Sequence, residues 1–230
     1  MPETQGTPDA LLARLATLDS CACSDALDRL GLAGVASGLR ALTVTRRVTG
    51  RVITVALEPA GSAVASGGRH LGTAAIEAAQ PGDVIVVAAG GRVDAAGWGG
   101  VLSLAATMRG VRGVIVDGAC RDVDESTTLG LPVYARAAIP ATARGRQAEV
   151  GWNTPVEVAG IAVVPGDLVV ADGSGVVFVP ASRATDVIAT AEQIAAREAA
   201  MARRLRAGEP ASAVLSADYE QMLTARKEGP

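Results

Sequence analysis

The chain has 230 residues, enough for one large domain with a substantial core. Nearly half of these residues are hydrophobic but only 2% are aromatic, so the core must be built mainly from Ala, Val, Leu and Ile. The net charge is −3, with acidic and basic residues interspersed, which excludes an extended surface that tracks phosphates. Because aromatic side chains for base stacking are also scarce, we expect no direct binding of nucleic acid.

Targeting signals and reactive side chains are few. No basic region is followed by an apolar stretch at the N-terminus and no apolar run reaches membrane-spanning length, so we expect a cytoplasmic protein that binds no membrane.

The three cysteines lack C-x-x-C spacing, and we expect no disulfide. Cys120 is interpreted as a small apolar core residue. The only histidine, His70, excludes a His-rich zinc site and is interpreted as a helix-start or core residue near a pocket.

Three segments are expected along the chain: a disordered tail over 1–7, an α/β domain over 8–180 and a C-terminal helical extension over 181–230. Apolar periodicity and turn residues define the elements of the domain. The predicted helices are 9–18, a short helix that ends at Leu30 with Ser24 or Asp25 as its N-cap, and 70–79. The predicted strands outside the central unit are 41–48, 51–57, 132–136, 155–158, 161–164, 168–171 and 175–179.

The C-terminal extension is Ala-rich and charged. It predicts a long helix over 181–206 that stops at Gly208, and a second short helix over 216–224. The long helix has a stripe of small apolar residues suited to close packing on the domain or on a neighbouring subunit: Ile188, Ala191, Ala195 and Ala199.

The most informative segment is a strand, loop, helix, strand and loop that ends in an Arg-Asp pair. The strands are predicted at 83–87 and 114–116, and the helix is expected to open at Gly99-Gly100 and to continue through Met108. A crossover of this kind makes the strands parallel, so the loops 89–100 and 117–122 should meet at one edge of the sheet. Open α/β sheets bind ligands at such edges.

The residues at this edge suit a small anion. A helix N-terminus has free amides, and Gly99 and Gly100 allow close approach to the backbone. Arg121 offers a charged bidentate fork, and a divalent cation would explain the adjacent acid, Asp122. These features favour a carboxylate or keto-acid ligand polarised by a metal. The spacing also allows a tight Gly-Gly turn and a solvated Arg-Asp pair that caps the next helix.

Several motifs across the chain are similar to those of one known family. They are Ser24-Asp25-Ala26-Leu27-Asp28-Arg29-Leu30-Gly31, Gly50-Arg51-Val52, Pro81-Gly82-Asp83, the stretch 113–122 with its DGACRD ending, Pro165-Gly166-Asp167 with Asp172, and Arg197-Glu198. In these the chain resembles the RraA-like proteins, which include class II 4-hydroxy-4-methyl-2-oxoglutarate aldolases and protein regulators of ribonuclease E. The resemblance implies an α/β fold: a single swivelling β/β/α domain with a parallel βαβ core, additional short strands and a long C-terminal helix.

The same resemblance implies roles for individual residues. In the aldolases, the arginine that matches Arg121 binds the pyruvate moiety and the aspartate that matches Asp122 coordinates Mg²⁺ or Mn²⁺. The substrate carboxylate is held by residues that match Gly99, Gly100, Val101 and Leu102. A glutamate that matches Glu198 reaches the metal-water shell of the adjacent subunit, in a homotrimer or homohexamer; Glu198 could equally be a solvated charge.

One position departs from the aldolase pattern. The aldolases often carry an acid at the position of Gly100, where it orders metal-bound water. Many regulators lack the aspartate after the arginine, so Asp122 favours a metal-using enzyme.

The resulting hypothesis is a divalent-metal-dependent lyase that acts on pyruvate-derived 2-oxo acids through pyruvate enolate. It would be a 4-hydroxy-4-methyl-2-oxoglutarate aldolase, an oxaloacetate decarboxylase, or both. No lysine lies in the two loops, which argues against a Schiff base there, and Asp94 is a weak candidate for the general base. The alternative is a non-enzymatic regulator that binds a ribonuclease or another protein.

Overall fold

The computed structural model describes residues 8–61 and 70–215. The strands of this part are β1 (Val35–Ala36), β2 (Arg40–Ala41), β3 (Val48–Pro59), β4 (Val84–Trp98), β5 (Gly113–Cys120), β6 (Val133–Ala138), β7 (Gln147–Trp152), β8 (Val156–Val158), β9 (Ile161–Val163), β10 (Leu168–Asp172) and β11 (Gly175–Val179). Its α-helices are α1 (Pro8–Leu15), α2 (Ser20–Arg29), α3 (Thr73–Ala78), α4 (Gly100–Met108), α5 (Val123–Thr128), α6 (Ala184–Arg206) and α7 (Ala211–Val214). The predicted tail over 1–7 and helix over 216–224 lie outside the described residues.

A mixed nine-stranded sheet organises the molecule, in the order β1-β11-β10-β3-β4-β5-β6-β2 with β7 also paired to β3. The four strands β3, β4, β5 and β6 run parallel, and the other pairs in this sheet are antiparallel. The β-branched runs of β4 and β5 form the parallel centre and are buried. The predicted α/β fold with a parallel core, short additional strands and a long C-terminal helix is confirmed.

Helices cover the sheet in two groups. Side chains from α3 and α4 pack with those of β4, β5 and β6 in one core cluster. In a second cluster α1, α2 and α6 pack with β10 and β11. The β8–β9 hairpin contributes to a third cluster with residues of β3 and β4. The candidate site therefore lies in the first group, whereas α6 lies in the second.

The long helix α6 packs within its own chain. Ile188 and Ala191 of the small-residue stripe are fully buried beside α2, and Ala195 is partly buried, whereas Ala199 is exposed. The helix ends before Gly208, whose positive φ of 90° is the predicted stop. No helix in the described ranges is long and apolar enough to cross a membrane.

Some predicted local structure was wrong. One strand was expected over 41–48, but in this range only Ala41, the last residue of β2, and Val48, the first residue of β3, belong to strands. The sequence did not predict β7. The N-cap of α2 is Asp19, whose side chain accepts a hydrogen bond from the Ala22 amide, rather than Ser24 or Asp25. An Asx cap acts only at the residue where the helix begins, so misplacing the helix start also misplaced its cap.

The predicted loop over 89–100 is mostly strand. After Ala88, β4 continues to Trp98 with three register shifts against β5. Gly90 and Gly91 adopt φ values of 60° and 74°, which bend the strand out of regular pairing. This irregular stretch brings the end of β4 back beside the end of β5.

Candidate active site

The ends of β4 and β5 lie side by side and bring the two predicted site segments together. Trp98 pairs with Cys120, and the Arg121 amide donates a hydrogen bond to the Trp98 carbonyl oxygen at 3.0 Å. Helix α4 begins two residues after Trp98, and α5 begins two residues after Arg121. The glycine pair and the Arg-Asp pair are therefore neighbours, as the crossover predicts.

A buried chain of hydrogen bonds fixes both helices to this edge. The indole nitrogen of Trp98 donates to Ser103 Oγ of α4 at 2.9 Å, and the hydroxyls of Ser103 and Ser126 lie 2.8 Å apart. All three side chains are buried. Because Ser126 belongs to α5, this chain sets the relative position of the two helix starts.

Asp122 adopts a left-handed backbone conformation, with φ of 55°. Its Oδ2 accepts a hydrogen bond from the Gly100 amide at 2.9 Å, and its carboxylate pairs with Nε of Arg121 at 3.1 Å. The Gly100 amide, with a further contribution from Arg121, lowers the pKa of Asp122, so the carboxylate is ionised at neutral pH. Asp122 caps α4 from outside that helix, because it accepts from the first amide after the N-cap residue Gly99. Asp122 is also the N-cap residue of α5, but its side chain makes no capping hydrogen bond to α5.

Gly99 and Gly100 are needed for close approach, since neither has a positive φ. A Cβ at Gly99 would lie 3.0 Å from Asp122 Oδ2 and 3.1 Å from Arg121 Cγ. A Cβ at Gly100 would overlap Oε2 of Glu125. Because Oε2 is the far end of a flexible and exposed side chain, a small movement of Glu125 would relieve this overlap.

A cavity of about 380 Å³ opens at this edge. All six residues predicted to bind substrate or metal from the two loops line it: Gly99, Gly100, Val101, Leu102, Arg121 and Asp122. The Val101 and Leu102 amides lie in the first turn of α4 and have no intrahelical acceptor. The opposite lining comes from segments that sequence reasoning did not assign to the site: Leu71, Thr142, Ala143, Arg144 and Gln147.

Gln147 is the most informative of these added residues. It is only 6% exposed, and its Nε2 donates to the Ala95 carbonyl oxygen at 2.8 Å. Its Oε1 is buried and has no hydrogen-bond partner among the described residues. Buried acceptors are normally hydrogen-bonded in native proteins, so Gln147 is a candidate contact for a water or ligand in the cavity. No sequence signal marks a glutamine at the start of a strand, so only the fold could identify it.

The remaining candidates lie elsewhere or at the margin. His70 lines the cavity, and its carbonyl oxygen accepts from the Thr73 hydroxyl at the start of α3. Asp94 does not line the cavity; it pairs with Arg92, whose hydrogen bond lowers the pKa of Asp94 and makes it a poorer base. Burial raises the pKa of Cys120 to about 11, as expected for a core thiol.

Glu198 lies on α6 and is not among the cavity residues of its own chain. Burial, together with the neighbouring charges of Asp25 and Asp19, raises the pKa of Glu198. Asp25 is on α2, so these acids form a separate group on the α2–α6 side of the molecule.

Within the described residues, no group of three or more His, Cys, Asp or Glu side chains could hold a metal ion. A divalent cation at this edge would have Asp122 as its protein ligand. An ionised carboxylate in a water-accessible cavity fits Mg²⁺ or Mn²⁺, since Mg²⁺ commonly keeps several waters and takes one or two carboxylates. One ionised carboxylate is compatible with such an ion, and its two oxygens already accept hydrogen bonds from the Gly100 amide and from Arg121.

Comparisons with known proteins agree with the fold. The family model described as RraA-like, Aldolase/RraA, matches residues 20–178. A Halalkalibacterium halodurans protein named "Putative 4-hydroxy-4-methyl-2-oxoglutarate aldolase" is 34% identical over 82% of this chain and 85% of its own length. An Albidiferax ferrireducens protein of the same name is 35% identical over 58% of this chain and 76% of its own length.

Solved structures give the same assignment. Streptomyces coelicolor RraAS2, a member of the RNase ES inhibitor RraA protein family, is similar with a TM-score of 0.78 and 30% identity, over 85% of this chain and 98% of that one. An uncharacterized protein from Pseudomonas syringae pv. tomato has a TM-score of 0.81 and 28% identity, over 90% and 98% of the two chains. With a family model that matches most of its length, the chain belongs to the RraA-like family.

Proposed function

We propose that the protein is a divalent-metal-dependent carbon–carbon lyase for pyruvate-derived 2-oxo acids. The observation that carries this proposal is the convergence of Arg121, Asp122 and the Gly99–Gly100 helix start on one cavity. This arrangement combines a fixed cation, an ionised carboxylate and free backbone amides within the reach of a small anion. The aldolase names of the relatives support the same reaction class.

The chain's own groups would bind and polarise the substrate. The Val101 and Leu102 amides would hold the C1 carboxylate, and Arg121 would place positive charge where the enolate oxygen develops. Mg²⁺ or Mn²⁺ held by Asp122 would act as a Lewis acid on the 2-keto group. In aldol cleavage the C4 hydroxyl gives its proton to solvent water and C4 becomes a carbonyl as the C3–C4 bond breaks. The electron pair of that bond passes into pyruvate enolate, which then takes a proton from water at C3 to give pyruvate. Oxaloacetate loses CO₂ by breaking the corresponding bond.

A pyruvate-release assay tests the proposal. Lactate dehydrogenase would report pyruvate from 4-hydroxy-4-methyl-2-oxoglutarate and from oxaloacetate, with Mg²⁺, with Mn²⁺ and after chelation. We expect metal-dependent turnover with at least one substrate. Arg121→Ala should reduce kcat/KM by at least about 100-fold, because it removes the charge at the developing enolate. Turnover that survives both chelation and this substitution would refute the proposed site.

A second candidate function is a non-enzymatic regulator that binds a ribonuclease or another protein. The similarity to the RNase ES inhibitor RraA protein family favours this alternative. Absence of pyruvate release from both substrates, combined with inhibition of a ribonuclease of that class, would favour it over the lyase. Arg121→Ala should leave such inhibition unchanged if the cavity takes no part in it.

A further inference from the structure

A second arginine lines the cavity in addition to Arg121. Among the described residues that line it, the acids and strong bases are Arg121, Asp122 and Arg144, and Arg144 comes from the connection between β6 and β7. Asp122 pairs with Arg121 at 3.1 Å, so these two charges largely balance each other. The charge of Arg144 therefore gives the cavity an excess of positive charge, which favours an anionic ligand.

Arg144 has no acidic partner in the part of the chain that the structure describes. No Asp or Glu there lies within ion-pairing distance of its guanidinium, and the residue is exposed. Two neighbouring arginines differ in this respect. Arg146 Nη1 donates to the Thr142 carbonyl oxygen at 3.2 Å, and Arg92 pairs with Asp94. Of these three arginines, Arg144 is the one whose charge is free to pair with a ligand.

Hydrogen bonds fix the backbone on either side of Arg144. The Ala96 amide of β4 donates to the Ala141 carbonyl oxygen at 3.0 Å, and the Gln147 amide donates to the Ala143 carbonyl oxygen at 2.8 Å. These contacts hold the base of the Arg144 side chain at the cavity. Only the side chain itself would have to be ordered when a ligand binds, which keeps the entropic cost of binding low.

The cavity is larger than a pyruvate moiety requires. Its volume of about 380 Å³ equals that of about a dozen waters in the liquid, at about 30 Å³ each, and exceeds what a three-carbon acid fills. The proposed contacts of the pyruvate moiety, Arg121 and the first-turn amides of α4, account for only part of the lining. The cavity therefore has room for the remainder of a longer substrate beside the segment that carries Thr142 and Arg144.

We propose that Arg144 is a specificity-determining residue that binds a second, distal carboxylate of the substrate. The inference rests on the proposed lyase function and names its substrate class: 4-hydroxy-2-oxo acids that carry a carboxylate at the end away from the pyruvate moiety. A guanidinium binds a carboxylate through two parallel charged hydrogen bonds. The Thr142 hydroxyl, which also lies in the cavity lining, offers a further donor.

Binding of two inert 2-oxo acids tests this role. 2-Oxoglutarate and 2-oxopentanoate have the same carbon chain, but only 2-oxoglutarate has a distal carboxylate, and neither has the C4 hydroxyl that aldol cleavage needs. Each would be titrated calorimetrically into the full chain in its native assembly, with Mg²⁺ and with salt at about 0.15 M to screen remote charges. We expect 2-oxoglutarate to bind at least about 10-fold more tightly, the affinity that one charge-assisted hydrogen bond provides.

Substitution of Arg144 should remove this difference. Arg144→Ala should raise the Kd of 2-oxoglutarate by at least about 10-fold and change that of 2-oxopentanoate by less than about twofold, because only the first ligand loses a partner. Arg144→Lys should keep part of the difference, since it retains the charge without the bidentate fork. Arg203→Ala is the control: it removes one positive charge from an exposed position in the last turn of α6, away from the cavity lining, and should leave the ratio unchanged.

The outcomes separate this inference from the proposed function. If neither acid binds the unaltered protein, the proposed 2-oxo acid site fails and the inference fails with it. If both acids bind with equal affinity, or if Arg144→Ala leaves their ratio unchanged, the cavity is still a 2-oxo acid site but Arg144 does not bind a distal carboxylate.

Steady-state kinetics give a second, independent measurement. With 4-hydroxy-4-methyl-2-oxoglutarate and with folding checked by circular dichroism, Arg144→Ala should raise KM by at least about 10-fold and lower kcat by less than about threefold. The reason is that the distal carboxylate is held equally in the ground state and in the transition state. A loss of kcat at unchanged KM would place Arg144 in the chemical step instead and overturn the assignment.

Discussion

At the scale of single residues, Asp122 has a structural role as well as the proposed role in metal binding. Its carboxylate accepts from the Gly100 amide and so caps α4, while its own backbone has a φ of 55°. Both features are tolerated by asparagine, which caps helices well and is enriched in left-handed conformations. Alanine provides neither advantage.

The two substitutions should therefore separate structure from function. In urea unfolding with excess chelator, we expect Asp122→Ala to lower the free energy of unfolding by about 1–2 kcal/mol and Asp122→Asn by less than about 0.5 kcal/mol. Both variants should lose Mn²⁺ affinity and pyruvate release, because both lack the carboxylate. An Asn variant as unstable as the Ala variant would contradict the capping role.

The sequence predicts much of this site because its signals are local. Gly99-Gly100 and Arg121-Asp122 each follow a strongly apolar strand, and the crossover rule then brings them to one edge. Gln147 was missed for a physical reason. Its position depends on the long-range pairing of β7 with β3, which no local pattern shows.

At the scale of the elements, Asp172 connects the end of β10 to the start of α2. Its carboxylate accepts from the amide and the hydroxyl of Ser20, at 2.8 and 2.6 Å, and from the Ser174 amide at 3.0 Å. Burial alone would raise the pKa of Asp172, but the hydrogen bonds from Ser20 and Ser174 outweigh it, and the net pKa is lowered. This junction holds the second helical group to the sheet.

Lowering the pH should weaken this junction, because the Asp172 carboxylate has a lowered pKa in the folded protein and loses its charge only in acid. The contribution of Asp172 to stability is complete above its unfolded-state pKa of about 3.9 and is lost as the pH falls through the lower folded-state pKa. We therefore expect Asp172→Asn to reduce the free energy of unfolding by about 1–3 kcal/mol at pH 7.

Urea unfolding at pH 7 and near pH 3 would measure this loss, which should shrink at the lower pH. Asp186→Asn, which alters an exposed ion pair with Arg183, serves as the control and should cost little at either pH. If Asp172→Asn lowers the free energy of unfolding equally at both pH values, the charge of Asp172 is not responsible for the effect.

Elements differed in how well the sequence predicted them. The runs of Val and Ile in β4, β5, β10 and β11 are buried, so apolar continuity identified them. The second half of β4 contains two glycines in left-handed conformations, and its pairing with β5 shifts register three times. Sequence patterns within such a segment predict a loop, because it becomes a strand only through its pairing with β5.

At the scale of the whole molecule, the site and α6 lie in different parts of the chain. The cavity contains no α6 residue, and the buried face of α6 packs on α2 within the same chain. Near the cavity, Val101 and Met108 of α4 are about 80% exposed, and Leu104 on the same face is exposed as well. Such an apolar face is typical of a protein–protein contact.

A ring-like homo-oligomer, proposed here as a homotrimer or homohexamer, would cover this face with a second protomer.

The packing of α6 within its own chain changes how the role of α6 in such an assembly can be tested. Truncation before α6 would remove Val187, Ile188 and Ile194 from the core cluster and unfold the chain. Point substitutions at exposed positions are required instead.

Mixed oligomers test whether Glu198 acts in a neighbouring site. Arg121→Ala and Glu198→Ala chains should each be inactive alone. When they are unfolded together at equal concentration and refolded, about a quarter of heterologous interfaces would combine an intact Arg121 with an intact partner Glu198. Pyruvate release should return in proportion, because each restored interface is a complete site. Glu209→Ala, which alters an exposed glutamate paired with Arg204, is the control and should be active without mixing. A fully active monomer by light scattering would refute the shared site, and failure of the mixture to regain activity would remove Glu198 from it.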